Sequence, residues 1–551
     1  MNLHIIEGRF TPSEDGKCAE ASDGMVSTAF PQATQAGVEM LRKGGNAIDA
    51  ACAAAFALGV CEPQASGLGG QSHAIMHFQG KTIAIDGSSR VPSLAHLDQI
   101  TGNHQLVKGH RAATVPSTPA VLGYLHFRYG SLDWSEILQP AIQLASDGYR
   151  ITQLQHNLQK RELKNFLKIP GRSGAQYFLK DGKQPYKPGD SFRQPDLARL
   201  LEKIAWHGIK AFYTGSVAEQ IDQDMRRHDG FLRAEDLAHI PWPVERKPLR
   251  RNYRSIKVFT SPPPSAGRTL LLMLQILRYL PPHLLLERDP KSFHFIAEAF
   301  RKALLNHKER PFDPNVYPQL PDDKQLLSSN YAKRLSASIC DVIDATLPSQ
   351  DIYPSQYDTT HLSVMDNQGN AIGITQSIEL VYGSKTAAAG LGFLYNNYMS
   401  SLEFNDPSHP YYLRPNAIPW SSVAPIICFY KDKLWMVAGS PGSERIFSTM
   451  SQFLFHIADG GMPISQAMTY PRFHCSVGGT LSIEADRFPA EVLGYLQSAG
   501  YKMDLREPYS FYLGAVHAVL KCQTSTLFQG VAEIRRDGSA SGVSDPEKSV
   551  S

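Results

Sequence analysis

Residues 358–366 read DTTHLSVMD, with a proline-bearing loop before them and Asp366-Asn367-Gln368-Gly369-Asn370 after them. The turn residues, and the alternation on either side, predict a hairpin whose first strand opens on Thr359-Thr360. Two readings of that pair stand. Threonine favours strands, so a Thr-Thr start can be β-forming sequence and nothing more. Alternatively, Thr359 is a nucleophile that becomes an N-terminus. A threonine hydroxyl needs a base, and its own freed α-amine, with a pKa of about 7.7–8.0, can act as one. That chemistry requires the chain to cut itself between Asp358 and Thr359.

Other chemistries find less support. Gly67-Leu68-Gly69-Gly70-Gln71-Ser72 lacks the GxGxxG spacing of a dinucleotide loop, and an alanine-rich helix precedes it rather than a strand. The histidines form no HExxH, and no Cys/His spacing fits zinc. His294 and Glu298 stand four apart on a helix and read as a structural hydrogen bond. Gly439-Ser440-Pro441-Gly442 does not supply the GxSxG of a serine hydrolase. No metal and no cofactor is therefore expected. The seven cysteines are odd in number and contain no CxxC. They read as reduced thiols in a cytoplasmic protein, an expectation that the absence of a signal-like N-terminus supports.

The elements that must position these residues are legible in outline. Residues 31–60 split at Gly44-Gly45 into two helices, the second so rich in alanine that it must be buried and closely packed. AIMHFQGKTIAIDG reads as a hairpin. Residues 130–240 are mostly helical. SPPPSAG at 261–267 is a rigid loop leading into the helix TLLLMLQILRYL, and FHFIAEAFRKALLNHKERPF is a second amphipathic helix. Residues 344–354 read as a loop. After it come the strand-like runs HLSVMD, NAIGITQSIEL, SSVAPIICFY, KLWMVAGS and TLSIEAD. A helix-rich first two-thirds would thus precede a mixed last third.

The chain has 551 residues, 42% of them hydrophobic, enough for a sizeable core. Lys+Arg 55 against Asp+Glu 52 gives +3, too balanced for a protein whose main partner is nucleic acid or an anionic membrane. No apolar run is long enough to read as a membrane span.

Beyond these local readings, a series of blocks resembles the γ-glutamyltransferase (glutathione hydrolase) family of N-terminal nucleophile hydrolases. The blocks are LRKGGNAIDAACA, GVCEPQASGLGG, DGFLRAEDLAHI, SPPPSAG, IAEAFRKAL, TTHLSVMDNQGNAI, GSPGSERI, YPRFHC and RRDGSASG, in family order over roughly residues 24–545. The resemblance implies an α+β fold, a four-layer αββα sandwich. It also implies a precursor that splits into a large region, 1–358, and a small region, 359–551, which stay associated. Thr359 is then the nucleophile for both self-cleavage and attack on a γ-glutamyl amide, with water or an amine acceptor resolving the acyl-enzyme. Gly442 and Ser443 match the oxyanion-hole pair, where backbone N–H groups make the contact. Ser377 matches a threonine that supports the nucleophile. Ser421 and Ser422 match the serine pair that grips the substrate carboxylate.

Departures fall on the amino-acid grip. Ser88 stands where the family has its carboxylate-clamping arginine, and Arg90, two residues on, could supply the cation. Glu379 stands in place of an asparagine at the α-amino end. Tyr398-Met399-Ser400-Ser401 replaces a segment ending Gln-Met-Asp-Asp, so Ser401 stands where an acidic partner of the α-ammonium is expected. Two substrate classes follow: γ-glutamyl compounds, or acidic acyl amides without an α-amino group, such as glutaryl or oxamate-like amides. A non-catalytic binding homologue is the remaining alternative.

Overall fold

The computed structural model describes all residues except 2, 101, 284–288, 310–322, 348, 350–357 and 545–551. Most of the 344–354 loop expected from sequence therefore lies outside the described residues. Fourteen strands form two seven-stranded sheets. The first sheet contains β1 (Cys18–Ala21), β6 (Leu249–Tyr253), β7 (Ile256–Thr260), β10 (Ile426–Tyr430), β11 (Lys433–Gly439), β12 (His517–Lys521) and β13 (Phe528–Ala532). Its order is β1-β13-β12-β11-β10-β7-β6. The second contains β2 (Gly24–Thr28), β3 (Gln71–Phe78), β4 (Lys81–Asp86), β5 (Val244–Arg246), β8 (Thr360–Asp366), β9 (Ala371–Ser377) and β14 (Ser539–Val543), in the order β14-β2-β8-β9-β3-β4-β5. Neighbouring strands are antiparallel throughout both sheets.

The sheets stack face to face with helices outside, which is the four-layer αββα sandwich. Helices α1 (Pro31–Arg42) and α2 (Ala47–Cys61) cover the second sheet, and α3 (Gly267–Leu277) and α4 (Arg445–Ala458) cover the first. Local chemistry explains the expected break between α1 and α2. Gly44 takes φ 86°, a left-handed value that glycine reaches without strain. A Cβ at Gly45 would lie 2.7 Å from Leu132 Cδ1. Asn46 then caps α2: its Oδ1 accepts from Ile48 N at 2.8 Å, while Asp49 Oδ2 accepts from Asn46 N at 2.9 Å. The alanines let α2 lie close on β8 and β9, where Gln376 Nε2 donates to Ala55 O at 3.0 Å. The β3–β4 hairpin turns at Gln79 and Gly80, both with positive φ, as a two-residue type I′ turn requires.

The first 358 residues, expected to be helix-rich with part of the sheet core, supply seven of the fourteen strands, β1 to β7. Strands such as Leu249–Tyr253, which exposes Arg250 and Asn252, lack the apolar weight of a strand buried on both faces. Residues before and after the 358/359 junction are interleaved in both sheets; β8 and β9 are flanked by β2 and β3.

Met25, Ile75, Met365, Ala371, Ile427, Val437, Val519 and Phe528 form an apolar cluster between the sheets. Further along the same strand faces the layer turns polar. Residues two apart share a strand face, so Met365 continues into Ser363, His361 and Thr359. That polar end is where the chemistry-bearing residues collect. No helix among the described residues is long and apolar enough to cross a membrane.

Candidate active site

Thr359 immediately precedes β8 and is 4% exposed. Its Oγ1 lies 2.8 Å from the carbonyl oxygen of Asp358 and 3.2 Å from Ser377 Oγ. Ser377, at the end of β9, donates to the same Asp358 carbonyl at 2.9 Å. Two hydroxyls thus converge on the carbonyl of the peptide bond that self-cleavage would break. Donation from Ser377 polarises it, and the Thr359 hydroxyl stands beside it, where a nucleophile would be needed. The Glu379 N–H donates to Ser377 Oγ at 2.8 Å, and Asp358 N donates to Glu379 O at 2.9 Å. This second bond fixes the backbone of Asp358.

His361 follows Thr359 on the same face but is not poised as a base. Ser363 Oγ donates to His517 O at 3.0 Å, so it accepts from His361 Nε2–H at 3.0 Å. Nδ1 then accepts from Thr375 Oγ1 at 2.8 Å. Burial pushes this imidazole down to about 3, so it is a neutral structural link between the sheets. Gly439 ends β11 against it: a Cβ there would meet the His361 ring at 2.4 Å. The following turn carries Gly442 and Ser443, with φ 125° and 53°.

Glu379, Tyr398 and Ser401 form one group with Ser377. Ser401 Oγ donates to Glu379 Oε1. The Tyr398 phenol lies beside Ser377, Gln71 and Glu379. Glu379 has φ 82°, an uncommon value for a non-glycine residue. Burial pushes its carboxyl up to about 7, opposed by the Ser401 and Tyr398 hydroxyls. The carboxylate missing at residue 401 is therefore matched by one at residue 379, which Ser401 touches.

Ser421 and Ser422 lie just before β10. Ser421 N donates to Pro264 O at 3.3 Å, and its buried Oγ has no partner among the described residues. Ser88 donates from Oγ to Asp86 Oδ1 at 2.6 Å, and Asp86 Oδ2 accepts from Arg246 Nε at 2.7 Å. A guanidinium therefore stands one carboxylate away from Ser88, supplied by β5. Arg90 is tied through its backbone, its carbonyl accepting from Val115 N at 2.8 Å.

Sequence reasoning missed Arg246 and two further groups, Glu62 and Arg536. Arg536 Nη1 pairs with Asp358 Oδ1 at 2.7 Å, donates to Thr359 O at 3.3 Å, and lies 3.7 Å from Glu62 Oε1. Burial pushes the Glu62 carboxyl up to about 8 against the pull of Arg536. The available signal was the charge-rich run Glu533–Asp537 closing an otherwise apolar strand, since buried charges need partners.

Among the described residues, one His/Asp group could be weighed as a metal centre: His110, Asp224 and His228. The two imidazoles are stacked, 4.3 Å between centroids and 9° between planes. In-plane lone pairs of parallel stacked rings do not converge on one ion, and Tyr395 OH donates to Asp224 Oδ2 at 3.1 Å. His294 and Glu298 are structural, joined by Tyr501 OH at 3.0 Å to each.

A family model described as Gamma-glutamyltranspeptidase matches residues 33–543. The glutathione hydrolase proenzyme of Escherichia coli (strain K12) is 33% identical, over 96% of this chain and 90% of its own. The Acylase ACY 1 proenzyme of Pseudomonas sp. (strain V22) is 31% identical, over 96% and 95%. The crystal structure of a cephalosporin acylase from Bacillus halodurans superposes with a TM-score of 0.87 at 26% identity, covering 97% of this chain and 98% of that one. Stacked antiparallel sheets with a buried threonine opening a central strand are the architecture of an N-terminal nucleophile hydrolase. Within that class the chain belongs to the γ-glutamyltranspeptidase family of enzymes.

Proposed function

We propose that the chain cuts itself between Asp358 and Thr359 and then uses Thr359 to cleave γ-glutamyl amides. The observation that carries this reading is the convergence of Thr359 and Ser377 on the Asp358 carbonyl. A substrate carbonyl would later take the place of that carbonyl. Ser377 supports the nucleophile, and the N–H groups of Gly442 and Ser443 receive the oxyanion. Ser421 and Ser422 hold the substrate carboxylate, with Arg90 or Arg246 as its cation. Glu379, with Ser401 and Tyr398, holds the α-ammonium. Water or an amine acceptor releases the product, and residues 1–358 and 359–551 remain paired through their shared sheets. No role for nucleic acid or membrane enters this reading.

A second reading has its own support. Ser401 carries no charge, and the acylase relatives span nearly the whole chain. An acidic acyl amide without an amino group, such as a glutaryl amide, is then the substrate. We also read the site of action as a reducing compartment such as the cytoplasm, because the seven cysteines form no disulfide and six are buried. The test is electrophoresis of purified protein, N-terminal sequencing of the smaller fragment, and release of anilide from γ-glutamyl anilide. A smaller fragment starting Thr-Thr-His-Leu and anilide release are expected. A single uncut band, inert toward both acyl classes, would leave a binding protein.

A further inference from the structure

The bond between Asp358 and Thr359 is bracketed by one guanidinium from far along the chain. Arg536 Nη1 forms an ion pair with the Asp358 carboxylate on one side of that bond, at 2.7 Å, and donates to the Thr359 carbonyl on the other, at 3.3 Å. The same Asp358 Oδ1 accepts from Thr359 N at 2.9 Å. The nitrogen that must leave is thus held through the carboxylate that Arg536 holds. Arg536 is itself fixed: its guanidinium lies 4.2 Å from the centroid of the Phe511 ring and 3.7 Å from Glu62 Oε1, and its side chain is 2% exposed. Neither Arg536 nor the Asp358 side chain has a part in the substrate reading above.

We propose that Arg536 is a positioning residue for self-cleavage, acting through the Asp358 side chain. It clamps the peptide unit so that the Asp358 carbonyl stays between Thr359 Oγ1 and Ser377 Oγ. In the step it serves, Thr359 Oγ1 bonds to the Asp358 carbonyl carbon and the bond from that carbon to Thr359 N breaks. The hydroxyl proton ends on the nitrogen, leaving an ester and a free amine. Water then hydrolyses the ester, giving Asp358 a terminal carboxylate and returning the proton to Oγ1. Holding both flanks of the amide lowers the entropy lost on reaching the attack geometry. Arg536 lies on the segment joining β13 in the first sheet to β14 in the second. The clamp therefore exists only when the last strand of each sheet is seated, so cutting waits for a completed fold.

This inference rests on self-cleavage at Thr359, and its test separates the two. Full-length chains are made by cell-free synthesis, and conversion to two fragments is followed by pulse–chase electrophoresis. Arg536→Gln and Asp358→Ala are each expected to slow cutting by about tenfold or more, the usual effect of losing a charged hydrogen bond. Asp358→Asn keeps an acceptor for both donors and is expected to cut within about threefold of wild type. The double variant R536Q/D358A should be no slower than the slower single variant, because both remove one link. Thermal unfolding of each chain guards against a loosened fold. Should R536Q fail to fold, the comparison of D358N with D358A at similar Tm carries the test, since Arg536 is then intact. Cutting by R536Q or D358A at the wild-type rate, or rate effects that multiply in the double variant, would overturn the inference alone. A wild-type chain that never cuts would overturn the self-cleavage reading beneath it.

Discussion

Thr359 Oγ1 rests 2.8 Å from the carbonyl oxygen of Asp358, the residue before it. A side chain so placed is within reach of its own preceding peptide bond, as an N→O acyl shift requires. Thr359→Ala is expected to stay whole, and Thr359→Ser to cut slowly, because serine keeps the oxygen but loses the methyl that limits its χ1. Sequencing of the small fragment checks the site. An N-terminus other than Thr-Thr-His-Leu would move the junction elsewhere.

Ser377 Oγ donates to the same carbonyl and receives the Glu379 N–H. Ser377→Ala removes the polarising donor and leaves that N–H without its buried acceptor. Self-cleavage should slow by about tenfold or more, for a hydrogen bond worth about 1–2 kcal/mol. Ser377→Thr keeps the hydroxyl and should cut. Equal rates for S377A and S377T would show that the hydroxyl has no part.

How much of this could be read in the sequence differs by element. The capped α2, the 71–86 hairpin and the Thr-Thr strand were legible because short-range rules govern them: an N-cap, a two-residue turn, alternation. Thr359 and Ser377 were singled out through the resemblance, and their hydroxyls stand 3.2 Å apart. Arg246 and Arg536 were not, because each is brought to its place by strand pairing across long separations. Arg246 meets Asp86 from 160 residues away, and Arg536 meets Thr359 from 177. Glu379 was named, but not its partner geometry: a positive φ aims its carboxyl at Ser401, and spacing alone does not predict that.

Charged residues at the end of β13 predict an acid-sensitive core. Glu533 is fully buried and receives Arg472 Nη1 at 2.7 Å and Arg535 Nη1 at 2.9 Å. Burial alone would raise its carboxyl, but the two guanidinium groups outweigh it and hold it down at about 2. Its folded pKa is thus below its ordinary 4.5. The stability it gives is present above about 4.5 and is lost as pH falls toward about 2. Urea unfolding at pH 6 and pH 3 should show that loss. Glu533→Gln should cost about 3–5 kcal/mol at pH 6, leaving two buried cations under-compensated, and should lose less on acidification. The same acid dependence in Glu533→Gln would place the sensitive carboxylate elsewhere.

The last prediction concerns which acyl group the site prefers, and turns on Glu379. Its carboxyl is buried, pushed up to about 7, and bonded to Ser401 at the expected place of the ammonium's partner. When neutral, it cannot offset the desolvation of a γ-glutamyl α-ammonium. When ionised, it can. The sign follows: in the free enzyme, kcat/KM for a γ-glutamyl anilide, relative to a matched glutaryl anilide, should rise as pH climbs toward about 7 and level off above it. Below that point the ratio should change by about tenfold per pH unit, following the ionised fraction. The α-amine of Thr359 titrates in both reactions and cancels in the ratio. Glu379→Gln should flatten the profile and lower the plateau by about 10²-fold, as loss of a desolvated ion pair implies. A ratio independent of pH in the parent, with a strong γ-glutamyl preference kept in Glu379→Gln, would show that another group grips the amine. A parent that favours the glutaryl anilide at every pH would instead place the chain with the acylases.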